Sequence, residues 1–391
     1  MQEDSRRDGQ VGTTGRRTFL AATGLAAASM VGLAGCLGDS RTSDPVAGED
    51  PMETAVSGEV LSWDDLGDLE GTVTIYSGRT SDQIEPVFDA LEDEYDDLTV
   101  QVDWGGNDDQ VNQLIEEGDS PQADLMYSQD PGALAALHDE GLLQELPEDV
   151  VDAVPEIYRE PDGYWTGVTG RVRSVMYNNE RLVEETAFES GDDLPTDILD
   201  YATDERLQGI ISTRPNSGTF RGFIQAMVER KGEDVTRDWV SDMVEKQDIE
   251  PFTSGSDQAE AINRGGDDDP IVALGNSYYA ARILNEDSDA PIRVTFTEGD
   301  AGSLFSIAGI GITQQTGDPE LVGEFIRHLF AKEGQEFMME ANGEYPVVEG
   351  IDYVGDLPDL EELNPPTFDI SQFDMELQDA ADLIVDAGME V

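Results

Sequence analysis

The chain has 391 residues and carries 86 acidic against 22 basic side chains, a formal charge of −64. Phosphate backbones are bound by Lys and Arg, so this balance excludes nucleic acid as a partner and argues against docking by charge on an anionic membrane. A single cysteine, Cys36, rules out an intrachain disulfide, and the two histidines, His138 and His328, form no Cys/His cluster for zinc. The acids are spread along the chain rather than gathered in a tail, the pattern of a protein adapted to high salt. At 1 M salt the Debye length is ~3 Å, and the self-repulsion becomes tolerable.

The N-terminus has the pattern of an export signal. Arg16-Arg17-Thr18-Phe19-Leu20 precedes an apolar stretch rich in small residues, from Ala21 to Leu33. The twin arginine points to the Tat route, which exports folded proteins. Leu33-Ala34-Gly35-Cys36 resembles a lipobox, which makes Cys36 the site of lipid attachment. The alternative, a transmembrane anchor, is weakened by the Gly and Ala content of a stretch short of the ~20 apolar residues needed. Residues 37 to about 70 are polar and acidic and read as a tether.

From Thr72 the pattern becomes regular. Thr72–Ser77 reads as a strand by its β-branched content. Ser81 caps a helix whose Ile84, Phe88, Leu91 and Tyr95 follow helical spacing. Leu98–Val102 is the next strand, Asp109–Glu117 a helix, Ala123–Tyr127 a strand and Pro131–Glu140 a helix. This alternation implies an α/β fold with a mainly parallel sheet. Tyr164–Val168 and Val172–Tyr177 read as two strands around Gly170-Arg171, carrying the chain out of a first lobe. A second alternation follows, with helices near 196–206, 219–230, 235–246 and 257–264 and strands at 210–213 and 270–274. Ile292–Thr297 and Leu304–Ile312 read as strands that bring the chain back. Pro319–Ala341 reads as one long helix, and the acidic tail holds a weak helix from about 373. Two α/β lobes joined by two crossing strands place a ligand cleft between them.

No Gly-x-Ser-x-Gly, Walker A or Gly-x-Gly-x-x-Gly motif is present. Nothing favours a surface hydrolase, and the chain is expected not to be an enzyme. Three cationic or anion-binding features stand out from the acidic background. Arg79 follows the first strand, Arg171 and Arg173 lie at the crossing, and Ser217-Gly218-Thr219 opens a helix. A small-polar turn at a helix N-terminus is an anion site, because unpaired N–H groups and the dipole both favour negative charge. Each arginine taken singly is more readily explained by a surface ion pair; their shared placement at strand ends makes the set more suggestive than any member.

Gly275-Asn276-Ser277-Tyr278-Tyr279 follows the apolar run Ile271–Leu274 and precedes a helix-prone segment, with Asn276 or Ser277 as N-cap. Such a strand-to-helix turn is where open α/β sheets bind ligands. Two adjacent phenols there are either packed aromatics or the donors of a hard trivalent cation. A phenol with a pKa of about 10 needs a strong Lewis acid to ionise at neutral pH.

Together these residues resemble the ferric-iron-binding solute receptors of ABC importers. The resemblance runs from about Gly71 to Val348. It rests on Thr74–Arg79, Trp165–Asn178, Arg214–Phe220, Asn276–Tyr279, Ala308–Gly311 and Glu344–Pro346 in that order. It implies a type II periplasmic-binding-protein fold, two lobes joined by hinge strands over a cleft. Fe³⁺ as the transported ligand would be held by Tyr278 and Tyr279, with Asn276 hydrogen-bonded to one of them. Ser217, Gly218 and Thr219 would hold a synergistic carbonate or phosphate, assisted by Arg171 or Arg173. The implied partners are an ABC permease and its ATPase, with the receptor a monomer on a lipid anchor. Four residues depart from the family. Arg79 and Thr80 stand where many members place a histidine or a His-Tyr pair. Gln129, within Tyr127-Ser128-Gln129-Asp130, stands nearest to a first-lobe glutamate, and Phe220 replaces a third tyrosine. Gln129, Asp130 and Tyr127 are therefore the first-lobe ligand candidates, and Arg79 an alternative anion holder. The alternative reading is a receptor of the same fold for an organic anion or a phosphorylated vitamin. The expected organisation is a signal over 1–35, a linker over 36–70, a first lobe over 71–170 plus 299–345, a second over 171–298 and an acidic C-terminal segment over 346–391.

Overall fold

A computed structural model describes residues 60–391, except 119, 354, 356, 364, 367–374 and 376. The expected export signal, Cys36 and most of the linker lie outside the described residues. Among the described residues ten strands form one connected sheet: β1 (Gly71–Ser77), β2 (Leu98–Trp104), β3 (Leu125–Ser128), β4 (Thr166–Asn178), β5 (Ile211–Thr213), β6 (Glu250–Pro251), β7 (Val272–Asn276), β8 (Ile292–Thr295), β9 (Phe305–Ile312) and β10 (Tyr345–Pro346). Their order is β2-β1-β3-β9-β4-β7-β5-β6, with β8 and β10 also paired to β4. β1 pairs in parallel with β2 and β3, and β5 with β6 and β7. β9 and β4 run antiparallel to their neighbours.

β4 holds the two halves together. Its first part, Thr166 to Val172, pairs with β9; its second, Arg173 to Asn178, pairs with β7 and β8. All 13 of its residues are buried, Arg171 and Arg173 included. The sequence expectation of two strands broken at Gly170-Arg171 is thus corrected to one. Gly-Arg punctuates a strand by composition, but ladder partners on both sides keep this backbone extended. The return connection runs from β8 to β9.

Two main cores result. Val73, Ile75, Phe88, Leu125, Phe325 and Ile310 anchor one; Phe220, Phe223, Trp239, Val272 and Leu274 anchor the other. A smaller cluster of Met176, Ile262, Ala273, Ala280 and Ile292 supports the helix Ser277–Glu286.

Other expectations shift at this level. The helix expected over 319–341 is two helices, Pro319–Phe330 and Lys332–Asn342, separated at Ala331 with φ −62° and ψ 164°. Gly334 lies against the end of the first helix, where a Cβ would stand 2.4 Å from the carbonyl oxygen of His328. The helix expected near 196–206 is two 3₁₀ turns, Ile198–Ala202 and Glu205–Leu207, with Asp204 capping the second. The cap of the first long helix, Ser81–Glu94, is Thr80 rather than Ser81. In the tail, the helix Leu377–Asp386 buries Ala380, Leu383 and Ile384 in the second core. The short helices Glu148–Asp152 and Asn179–Glu185 and the strands β6 and β10 carried no sequence signal.

For the site, the useful feature is where strands hand over to helices. β1, β3, β5 and β7 each run into a helix, capped by Thr80, Asp130, Ser217 and Asn276 respectively. Ligands of open α/β sheets gather at such carboxyl ends.

Candidate ligand-binding cleft

A cleft of about 270 Å³ is lined by Tyr278, Tyr279, Asn276, Ser217, Gly218, Thr219, Arg171, Arg79 and Gln129 from the residues expected by sequence. Arg214, Arg282, Glu344, Asp82, Thr80, Gln83 and Ser256 complete it.

One wall is built on two helix starts. Asn276 ends β7 and caps the helix Ser277–Glu286, which places Tyr278 and Tyr279 in its first turn. Their ring centroids lie 4.1 Å apart at 38°. Tyr278 is buried at 6% exposure, while Tyr279 is partly open. Gly255 makes room for the second ring, since a Cβ there would lie 2.3 Å from Tyr279 Cε2. Burial, with the neighbouring Tyr279 phenol, pushes the Tyr278 phenol well above its ordinary value, opposed by Arg171 and Asn276. The unliganded phenol is therefore neutral at pH 7.

The second helix start is Ser217. Its hydroxyl accepts from Phe220 N at 3.1 Å and donates to the Arg214 carbonyl at 3.0 Å. Asn276 Nδ2 donates to Thr219 Oγ1 at 3.2 Å, tying the two starts together. Arg214 donates from Nε to Asn216 Oδ1 at 3.2 Å and from Nη1 to the Tyr279 hydroxyl at 3.5 Å.

The opposite wall is ionic. Arg79 Nη2 donates to Glu344 Oε1 at 2.7 Å, with both side chains almost fully buried. Thr169 Oγ1 donates to the other Glu344 oxygen at 2.8 Å. The Arg79 guanidinium also lies over the Tyr127 ring, 5.4 Å from its centroid. Burial opposes the Arg79 charge, but Glu344 and Tyr127 outweigh it and hold the group above its usual range. Arg171 donates to the Gln129 carbonyl. At the rim Arg282 reaches Asp82 at 3.4 Å and the Asn342 side chain at 3.3 Å.

Three expected site residues do not reach this cleft. Tyr127 is fully buried, its hydroxyl 3.5 Å from Met338 Sδ and its phenol pushed up by burial to about 12. Asp130 caps the helix Pro131–Asp139, accepting from Ala133 N and Asn107 Nδ2. Arg173 lies under Phe220 and Phe223, 5.4 and 4.7 Å from their centroids, and lines a smaller adjoining hollow. Burial pushes its guanidinium down to about 9. Among the described residues no three His, Cys, Asp or Glu side chains converge on a metal position. The oxygen donors lining the cleft include the Tyr278 and Tyr279 phenols and the carboxylates of Glu344 and Asp82, both of which are paired to arginines. Sequence reasoning assigned no role to Arg214, Arg282 or Glu344. Arg214 sits one residue beyond β5, so the strand-end rule reaches it. Glu344 follows the left-handed Gly343 that ends a helix, and nothing local marks it as facing a ligand.

Residues 120–372 match the model of the bacterial extracellular solute-binding protein family. The major ferric iron-binding protein of Neisseria meningitidis serogroup A is 27% identical over 326 residues, covering 81% of this chain and 93% of that protein. Iron uptake protein A1 of Synechocystis is 25% identical over 300 residues, covering 74% and 80%. The iron-bound HitA structure from Pseudomonas aeruginosa superposes with a TM-score of 0.72 at 25% identity, over 81% of this chain and 99% of that one. The fold is thus the type II periplasmic-binding-protein fold expected from the sequence.

Proposed function

The chain belongs to the bacterial extracellular solute-binding protein family, and from that membership we propose that it is the ferric-iron receptor of an ABC importer. The observation that carries this reading is the buried Tyr278 packed against Tyr279, the rings tilted at 38°, at a helix start inside the cleft. Fe³⁺ would displace both phenolic protons and be held by the two phenolates. Asn276 would orient the pair, and Ser217, Gly218 and Thr219 would hold an accompanying anion such as carbonate or phosphate. The names of two relatives, a ferric iron-binding protein in Neisseria and an iron uptake protein in Synechocystis, support the choice of cargo.

Closure brings the two lobes, residues 71–170 with 299–345 and residues 171–298, together on β4 and the β8–β9 connection. The receptor then passes its cargo to a permease driven by its ATPase. Export by the Tat signal and a lipid on Cys36 hold it on the outer face of the cytoplasmic membrane, and its charge of −64 suits a saline exterior.

Adding ferric iron with bicarbonate or phosphate to the apo-protein is expected to give a phenolate-to-Fe³⁺ charge-transfer band. Tyr278→Phe with Tyr279→Phe removes that band. An unchanged band in the double variant would overturn the assignment, and elemental analysis without iron in protein given excess ferric salt would favour the organic-anion alternative.

A further inference from the structure

We propose that the small hollow beside Arg173 is a separate anion site that takes a single halide ion, bound whether or not the main cleft holds cargo. Such a site is independent of the iron reading above. The state of the arginines carries it. Arg79, Arg171, Arg214 and Arg282 line the main cleft against the carboxylates of Glu344 and Asp82. Arg79 and Arg282 pair with those acids, while Arg171 and Arg214 hydrogen-bond to the Gln129 carbonyl, Asn216 and the Tyr279 hydroxyl. Arg173 has neither kind of partner. It is 5% exposed, its side chain makes no hydrogen bond or ion pair among the described residues, and its Nε is sealed off unpaired. Its guanidinium carbon lies 5.4 and 4.7 Å from the ring centroids of Phe220 and Phe223. A phenyl face answers a cation only weakly, and a buried charge without a counter-charge is costly. Burial lowers the group to about 9, which still leaves it charged at pH 7.

The hollow that Arg173 lines meets this need. Arg214, Ser217, Thr219, Gln258, Asn276 and Tyr279 supply the rest of its polar lining, so it holds two guanidinium-bearing residues and no carboxylate. In a chain with 86 acidic residues, that is a local reversal of sign. Ser217 caps the 14-residue helix Gly218–Lys231, whose positive dipole end adds to the field.

Size then selects the occupant. The hollow measures about 10 Å³, at the lower edge of the ~10–15 Å³ that one water-sized particle needs. Carbonate, phosphate and carboxylates are too large for it, which separates this site from the anion that accompanies the cargo. A water would offer hydrogen bonds to Arg173 and to the unpaired Asn276 Oδ1, but no charge. A monatomic anion supplies both size and charge. It neutralises a buried cation at the foot of the tyrosine turn, so that this wall of the cleft is assembled before cargo arrives.

Thermal unfolding of the full-length, iron-free chain provides the test. Potassium sulfate is replaced stepwise by potassium chloride or bromide at constant ionic strength, for the wild type and for Arg173→Met. The difference between the two proteins is read, so the general effect of salt on an acidic chain cancels. Either halide is expected to stabilise the wild type relative to the variant, saturably, by about tenfold in the unfolding equilibrium once it stands ten times above its dissociation constant. Crystals grown in bromide are expected to show an anomalous bromine peak in contact with the Arg173 guanidinium, a readout that holds even where Arg173→Met fails to fold. An equal halide response in both proteins, or bromide crystals without that peak, overturns the site. A peak with no stabilising response marks an adventitious ion only and overturns it as well. A halide response in a protein that gives no phenolate band with ferric iron leaves this site standing and removes the iron reading.

Discussion

The two walls of the cleft make an instructive contrast. On the other wall Arg79, Glu344 and Thr169 engage one another: each Glu344 oxygen has a donor and the guanidinium has its carboxylate through Nη2, while its Nε has no partner. On the tyrosine wall, phenols and helix-start amides come from adjacent turns and keep unused capacity. One wall is a fixed ionic plate and the other a set of donors waiting for a ligand. A buried pair of this kind gives little net stability, but breaking it is costly. The plate's role is to hold shape and charge opposite the donors.

Breaking the donor wall should have the largest effect. Taking ~3 kcal/mol per ligand from structural metal sites, Tyr278→Phe with Tyr279→Phe should weaken iron binding on the order of 10⁴-fold in competition with a chelator, with stability little changed. Breaking the plate should reverse that profile. Glu344→Ala leaves Arg79 buried and unpaired and should cost ~3–5 kcal/mol in urea unfolding. Replacing both partners, Arg79→Met with Glu344→Leu, should recover most of it.

Acidity sharpens the contrast further. Burial raises the Tyr278 phenol, so iron must displace its proton at any physiological pH. Protons compete with the metal, and affinity should rise with pH, by up to about two log units per pH unit if both phenols ionise on binding. A titration between pH 6 and 8, corrected for protonation of the competing chelator, checks the slope. A flat profile would mean the phenols stay neutral. Asn276→Ala, which frees Thr219 from the tyrosine turn, should reduce affinity ~10-fold, at the mild end of outer-ligand losses. The smallest effect is expected at the rim, where Arg282→Ala removes a 3.4 Å contact to the exposed Asp82 and should change stability by less than ~1 kcal/mol.

Much of this was legible before folding. Strand and helix alternate in the sequence because apolar residues repeat at the spacing each element needs, and Thr72–Ser77, Pro131–Glu140 and 219–230 were located to within a few residues. The break at Ala331 is not legible there, because Ala331, Lys332 and Glu333 are all good helix formers and no proline marks it. It is set by Gly334 packing on the preceding turn, a contact with no periodic signature. Arg171 and Arg173, two apart on one strand, point the same way by alternation. Their separate surroundings arise because β4 changes partners between Val172 and Arg173, carrying the second arginine beneath Phe220 and Phe223.

By itself the sequence determined the local order: which stretches are strands, where helices begin, and that Tyr278 and Tyr279 stand side by side at one of those beginnings. Local order follows from propensity, capping and hydrophobic spacing, all of which act over a few residues. Only the tertiary structure decided which charges are free. Arg79 and Glu344 are 265 residues apart and meet inside the fold, whereas Arg171 and Arg214 meet no carboxylate at ion-pair distance among the described residues. Pairing between distant side chains depends on how the sheets and helices pack, and no spacing along the chain encodes it. The cleft's positive sign, within a chain of charge −64, comes from that packing.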